Sequence, residues 1–439
     1  MRFFGTSGYP PGSLNVNGFS FFNALSFQII LGGPVILFAK SLHASSFVLG
    51  TIAALTPLLT VLQLVAARFL HRAGYKRFVL AGWGARTFFT LAVTLLPLVP
   101  GLSAGWRLTL LLGALFFFSL LRNFAAGAWL PWISVLVPAN MRGRFLSRDH
   151  AFMHLGCLAA LLVSAWIMAG SVEDGEYAAV FGIGFVAALV SLWFIRRIPE
   201  AHSHEEMRRS GIAVPWAAML RYPPFARLLW FSTMYAAMIG SLGVFTVEFQ
   251  IVRAKLAEST ILLLGSFSFA GALAGLAVTA PSLDATGSKP WLRRAMHLMI
   301  AVIAGWLLLA GGILPCRPWL VGALNLLGGV AGAIFGVSST RILLGSVPVM
   351  GRNHFFALFT VVSGLGLGFA PMFWGALLDA VGRLDFTAGP ISVNRYTLYF
   401  AALVILGWWN QRLVARLHEG ATDDTAVPPA EPMPVAPVE

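Results

Sequence analysis

Only two cysteines occur in 439 residues, Cys157 and Cys316, so neither a disulfide framework nor a Cys-x-x-Cys metal site can be built. Acidic residues are scarce too: 17 Asp and Glu stand against 30 Lys and Arg, and charged residues make up only 11% of the chain. Soluble domains carry about 25% charged residues, so water is not the main solvent here. No Gly-x-Ser-x-Gly, His-Glu-x-x-His or Walker-type loop is present, which speaks against the common hydrolases and against an ATP-driven pump. The first 18 residues lack the apolar core and small-residue cleavage site of a secretory signal, so the first apolar run is expected to serve as the insertion signal.

What the chain has in abundance is apolar surface, 58% hydrophobic residues with a mean hydropathy of +0.80. A bilayer crossing takes about 20 apolar residues. Runs of that kind are predicted at 18–40, 46–67, 78–99, 107–136, 148–170, 177–196, 225–252, 259–281, 291–314, 318–346, 353–381 and 395–417. Period-2 alternation is missing, and backbone groups in lipid must be satisfied within each segment, so these are helices. The expected fold is an all-α membrane protein of twelve transmembrane helices. The longest polar stretch, 198–224, divides them into six-helix bundles at 18–197 and 225–418, with an N-terminal segment 1–17 and a Pro- and acid-rich tail 419–439 expected to be disordered. With both termini cytoplasmic, 21 of the 30 basic residues fall on inner segments and 7 on outer ones, which fixes that orientation. The same clustering in short loops, away from any single basic face, argues against nucleic acid as a partner.

The halves also share sequence. Ala67 to Lys76 and Ala280 to Lys289 carry Ala, Leu, Gly and Lys at identical spacing, with Gly74 and Gly287 in register. A looser match follows the fourth and tenth spans: Pro138 precedes Arg142, Gly143, Arg144 and Phe145, and Pro348 precedes Gly351, Arg352 and Phe355. At these loops the sequence resembles the major facilitator superfamily, whose motif there is Gly-x-x-x-Asp-Arg-x-Gly-Arg-Arg. Arg72, Gly74, Lys76 and Arg77 match its first copy; Asp284, Gly287 and Lys289 match its second. His71 stands where the family has an acid, so the resemblance implies an inner gate that leans on the second half. Gate candidates are therefore His71, Arg72, Gly74, Lys76, Arg142, Arg144, Asp284, Gly287 and Lys289. Glycine permits the tight turn and the basic groups hold the loop at the anionic leaflet; a plain topology signal is the competing reading.

A charge at membrane depth costs about 2.5 to 3.5 kcal/mol on insertion scales, so each one is a functional candidate. Arg122 lies near the middle of the fourth span, and Trp129, seven residues on, is expected on the same face with Ala126 between them. That pair suits an anionic or aromatic solute. The resemblance implies that spans one, four, seven and ten line the path, which favours Asn325 as a contact and adds Asn23 and Tyr235, each of which could equally be a helix–helix hydrogen bond. Arg86, on a span that would be peripheral, is expected to have a structural partner. Glu248 is the acid best placed for proton coupling, unless it pairs with Arg253 or Lys255. His150 and His154 have the spacing of a metal pair, but no third ligand is in view.

The resulting expectation is a secondary transporter of the cytoplasmic membrane, exposing a small anionic or polar organic solute to each side in turn, with no cofactor and no enzymatic activity. Its partners would be the solute, membrane lipid and a coupling proton or cation, and it would act as a monomer. A receptor or scaffold that kept the fold without transport is the alternative.

Overall fold

A computed structural model of the protein describes residues 12–63, 66, 74–136, 142–170, 172–200, 216–279, 287–346 and 352–417. The expected segments 1–17 and 419–439, the loop carrying His71 and Arg72 and the loop carrying Asp284 fall wholly or mostly outside them. The chain is mostly helical. The first crossing is broken, α1 (Ser13–Leu31) passing into α2 (Gly33–Ser41) at Gly32, whose φ of −99° and ψ of −147° are not helical. The helix starts at Ser13, not at residue 18, because its polar first turn, Ser13 to Asn17, has helical geometry that hydropathy does not register. Next come α3 (Ser46–Leu58), α4 (Tyr75–Leu95), α5 (Ala104–Ala126), α6 (Trp129–Leu136), α7 (Arg142–Ile167) and α8 (Asp174–Arg197). Beyond the linker follow α9 (Trp216–Arg221), α10 (Pro223–Ile239) and α11 (Leu242–Val252), the last two again one interrupted crossing. The chain then forms α12 (Glu258–Thr279), α13 (Ser288–Ala310), α14 (Pro318–Ser346), α15 (Arg352–Ala380) and α16 (Arg395–Val414).

Among the described residues ten helical segments are long and apolar enough to cross a membrane, with a shorter apolar one at Ser46–Val61. Their outer faces suit lipid: Trp166 is 79% exposed, and Trp106 and Trp319 lie exposed near the same end of the molecule. Exposed Trp193, Trp408 and Trp409 lie at the other end, so the two sets mark aromatic belts.

Packing in the first half recurs in the second. Helix α1 packs on α7 and α8, and α4 on α5 and α8; correspondingly α10 packs on α15 and α16, and α13 on α14 and α16. The halves meet along α3 with α15 and α7 with α12. One departure from an all-helical chain is a hairpin, β1 (Asp385–Ala388) antiparallel to β2 (Ile391–Asn394), with Asp385 opposite Asn394. It lies between α15 and α16, where the chain is polar and β-branched and the bilayer no longer demands helix. Asn394 ends the hairpin and caps α16, its Oδ1 accepting from the Tyr396 and Thr397 N–H groups.

Candidate functional site

A cavity of about 910 Å³ opens between the halves, walled by α1, α2, α7 and α10 to α14. Most of its wall is apolar or glycine. The polar groups on it are few, chiefly Gln28, His154, Thr246, Gln250, Ser268 and Asn325, the mixture expected of a small-molecule site. Two of these are orphaned in the wall: His154 Nδ1 and Gln250 Oε1 are buried with no hydrogen-bond partner. Both helix breaks, at Gly32 and Gly240, reach the cavity, and interrupted helices at a midplane site leave backbone groups free for a solute. On the opposite wall, glycine makes room for packing. A Cβ on Gly329 would collide with the Ser268 carbonyl, and one on Gly271 with the Leu326 carbonyl, so α12 and α14 touch backbone to backbone, whereas Gly332 and Gly336 face open space.

The cavity is sealed at the end of the molecule remote from the N-terminus. There the walls close on Ile36, Ile261, Leu262 and Trp306, none more than 3% exposed. Toward the N-terminal end they finish in exposed His150, Thr340 and Arg341. Beyond the seal lies a charged clasp. Glu248 of α11 is 0% exposed and pairs with Lys40 of α2 at 3.0 Å and Arg395 of α16 at 3.1 Å. It also accepts from the Ser46 hydroxyl at 2.7 Å. Asp379, at the end of α15, accepts from the Ser46 and Phe47 N–H groups at 3.1 and 2.9 Å, neutralising the positive end of α3. Two acids of the second half thus grip one helix start in the first. Nearby, Tyr177 of α8 donates to Glu258 at the start of α12.

Glu248 therefore does not pair with Arg253 or Lys255, as one sequence reading allowed. Arg253 sits past the helix end and reaches the hairpin, where it binds Asp385 at 2.8 Å.

Arg122 and Trp129 do not share a helix face. α5 stops at Ala126 and the chain turns through Gly127 and Ala128 before α6, which carries Trp129 into an aromatic cluster 4.5 Å from Phe19 and 5.5 Å from Trp83. Neither residue lines the large cavity. Arg122 instead lies over the Phe27 ring at 4.4 Å. Asn23 is engaged too, its Oδ1 accepting from Arg86 Nη2 at 2.5 Å. Tyr235 stacks on Phe335 at 3.4 Å. Asn325 does line the cavity, and its Nδ2 donates to the Leu264 carbonyl at 2.9 Å.

Of the gate residues, Gly74 and Gly287 occupy equivalent places, immediately before α4 and α13, with φ of +74° and +79°. Lys76 lies half-buried in the first turn of α4. Lys289 donates to the Ala415 and Leu417 carbonyls at 2.8 and 3.0 Å, tying α13 to the exit of α16. Arg142 and Arg144 fall in the first turn of α7, with side chains outside the described residues, as are His71, Arg72 and Asp284 altogether.

Sequence reasoning missed Lys40, Ser46, Asp379 and Arg395. The available signal was the rarity of acids: a chain with 17 of them that spends two at helix ends has a use for each. Gln28 and Gln250 were also missed, since neutral amides do not stand out in an apolar run.

A sequence profile of the Major Facilitator Superfamily matches residues 17–324. Solved structures repeat the fold over nearly the whole chain. The D-xylose-proton symporter is 14% identical at a TM-score of 0.71, covering 93% of this chain and 98% of its own. The xylose transporter XylE from E. coli in an inward open conformation is 14% identical at 0.68, covering 92% and 95%. A mutant of the nucleoside transporter NupG is 13% identical at 0.68, covering 93% and 100%. No curated protein matches the chain by sequence. With its profile match, its paired loop glycines and its two-half packing, the chain belongs to the major facilitator superfamily.

Proposed function

We propose that the protein is a secondary transporter that moves a small polar or anionic organic solute across the cytoplasmic membrane by alternating access. In this reading α1–α2, α3, α4, α5–α6, α7 and α8 are six crossings of one bundle, 18–197. The crossings α10–α11 and α12 to α16 form the second, 225–418, after the linker 198–224. Both termini face the cytoplasm, where the positive-inside rule sets the basic loops. The observation that carries the reading is the asymmetry of the cavity, closed on one side by the Glu248 and Asp379 clasp and ending on the other in exposed polar residues. The arrangement then corresponds to an inward-facing state. Asn325, Gln28 and Gln250 supply neutral contacts to the solute, and Arg122 supplies the preference for an anion. Tyr235 and Trp129 shape the path from behind. Glu248, whose neutralisation would release both cations, is the residue through which a proton could bias the outer clasp, while Gly74, Lys76, Gly287 and Lys289 belong to the inner gate.

Counterflow in proteoliposomes tests transport directly. Vesicles preloaded with sugars, nucleosides, amino acids or organic acids should take up labelled solute of one class saturably, at a rate above that of protein-free vesicles. Folded protein that exchanges none of these classes would overturn the reading.

A further inference from the structure

A second polar site lies in the first half, beside the wall that Gln28 contributes to the cavity. Arg86 of α4 is 2% exposed, and its Nε and Nη1 have no hydrogen-bond partner; only Nη2 is engaged, by Asn23. Arg122 of α5 likewise has no partner at Nε. Aromatic faces bracket both cations: Arg86 lies 5.3 Å from the rings of Trp83 and Phe118, Arg122 4.4 Å from Phe27. Asn23 and Phe27 are one turn apart on α1, Phe118 and Arg122 one turn apart on α5, and Trp83 Nε1 donates to the Arg122 carbonyl. The two arginines therefore stand on packed neighbouring helices, linked through Trp83 and Phe118. Among the described residues neither has a carboxylate partner.

Two cations withdrawn from water with no counter-ion are unfavourable, and ring faces offset that only in part. What is missing is an anion. A guanidinium holds its N–H donors in one fixed plane, and the open ones on Arg86 and Arg122 can each donate to a carboxylate oxygen. Asn23, Phe27 and Arg122 keep partial exposure while Arg86 is buried, so a solute would reach Arg122 first and Arg86 behind it. We infer that Asn23, Arg86 and Arg122 form a carboxylate-recognition site, and that the solute is a small organic acid whose apolar body rests on Phe27. Asn23 is then a positioning residue, aligning Arg86. This deepens the transport reading and depends on it.

The test uses purified full-length protein, titrated with acetate, lactate and benzoate, each beside its neutral amide, and with inorganic phosphate. Thermal shift and tryptophan fluorescence report binding. At least one acid should bind ten-fold or more tightly than its amide and than phosphate, and Arg86→Gln or Arg122→Gln should weaken it at least ten-fold. Asn23→Ala, which leaves both charges in place, should weaken it several-fold and so serves if an arginine variant fails to fold. Acid and amide binding alike, phosphate binding best, or all three variants binding as the parent would overturn the inference. Counterflow of a neutral solute at an unchanged rate by Arg86→Gln or Arg122→Gln would also overturn it while leaving transport intact; absence of counterflow for every solute in the folded parent protein would instead remove the transport reading.

Discussion

Glu248 is shared by two cations and a hydroxyl, and each partner reaches it from a different helix. Removing its charge strands Lys40 and Arg395, whose side chains are only 20% and 19% exposed. Breaking a buried pair costs about 3–5 kcal/mol, and the residual exposure of both cations places Glu248→Gln at the lower end, about 3 kcal/mol. The variant should melt earlier in detergent, and Phe47→Cys at the clasp should react faster with an impermeant maleimide in the Glu248→Gln background. An unchanged labelling rate would mean that the clasp does not hold this side shut. Asn325 makes a single neutral hydrogen bond to α12, worth about 1 kcal/mol. Asn325→Ala should therefore leave melting almost unchanged yet raise the KM for transport; a large melting shift with unaltered KM would assign it to packing alone.

At the scale of the helix, the α12–α14 seam and the loop glycines make separable predictions. Gly329→Leu forces a side chain into the Ser268 backbone and should destabilise by at least the 1–3 kcal/mol typical of overpacking, read as loss of the monodisperse peak on gel filtration after heating. A Cβ on Gly332 meets nothing within 4 Å and the residue lines the cavity, so Gly332→Leu should fold normally and impair transport by occupying cavity space. Gly74→Ala and Gly287→Ala each place a Cβ where φ is positive and ψ extended, a region nearly confined to glycine, and should each cost about 1–3 kcal/mol, in similar amounts because the two glycines share one conformation. These helices were legible from hydropathy, because lipid leaves an apolar run little choice but helix. Their interruptions were not. Gly32 and Gly240 break α1–α2 and α10–α11 within apolar text, where a glycine costs a helix only about 1 kcal/mol and so does not reveal whether it bends. The turn at Gly127 had the same effect on Trp129, which pattern alone kept on the face of Arg122.

Across the whole molecule, the repeat was readable because a positive-φ glycine cannot be replaced cheaply, so Gly74 and Gly287 persist at matching places. The clasp was not readable, since Lys40, Glu248, Asp379 and Arg395 lie far apart in sequence and only the meeting of two halves brings them together. The proposed orientation rests on charge and can be measured with the protein's own thiols. Cys316 lies in the loop between α13 and α14, at the clasp end, while Cys157 is buried within α7. In a Cys157→Ser background, Cys316 and a thiol introduced by Arg383→Cys should react with an impermeant maleimide in intact cells. With Cys316 replaced by Ser as well, thiols introduced by Arg196→Cys or Arg412→Cys should react only after permeabilisation. Burial pushes the Cys316 thiol above its ordinary pKa, so less of it is thiolate at neutral pH and its labelling should speed up as the pH is raised, more than that of the exposed thiol introduced by Arg383→Cys. Labelling of the Arg196→Cys or Arg412→Cys variant in intact cells, with both native cysteines replaced, would invert the molecule and turn the clasp into a cytoplasmic gate.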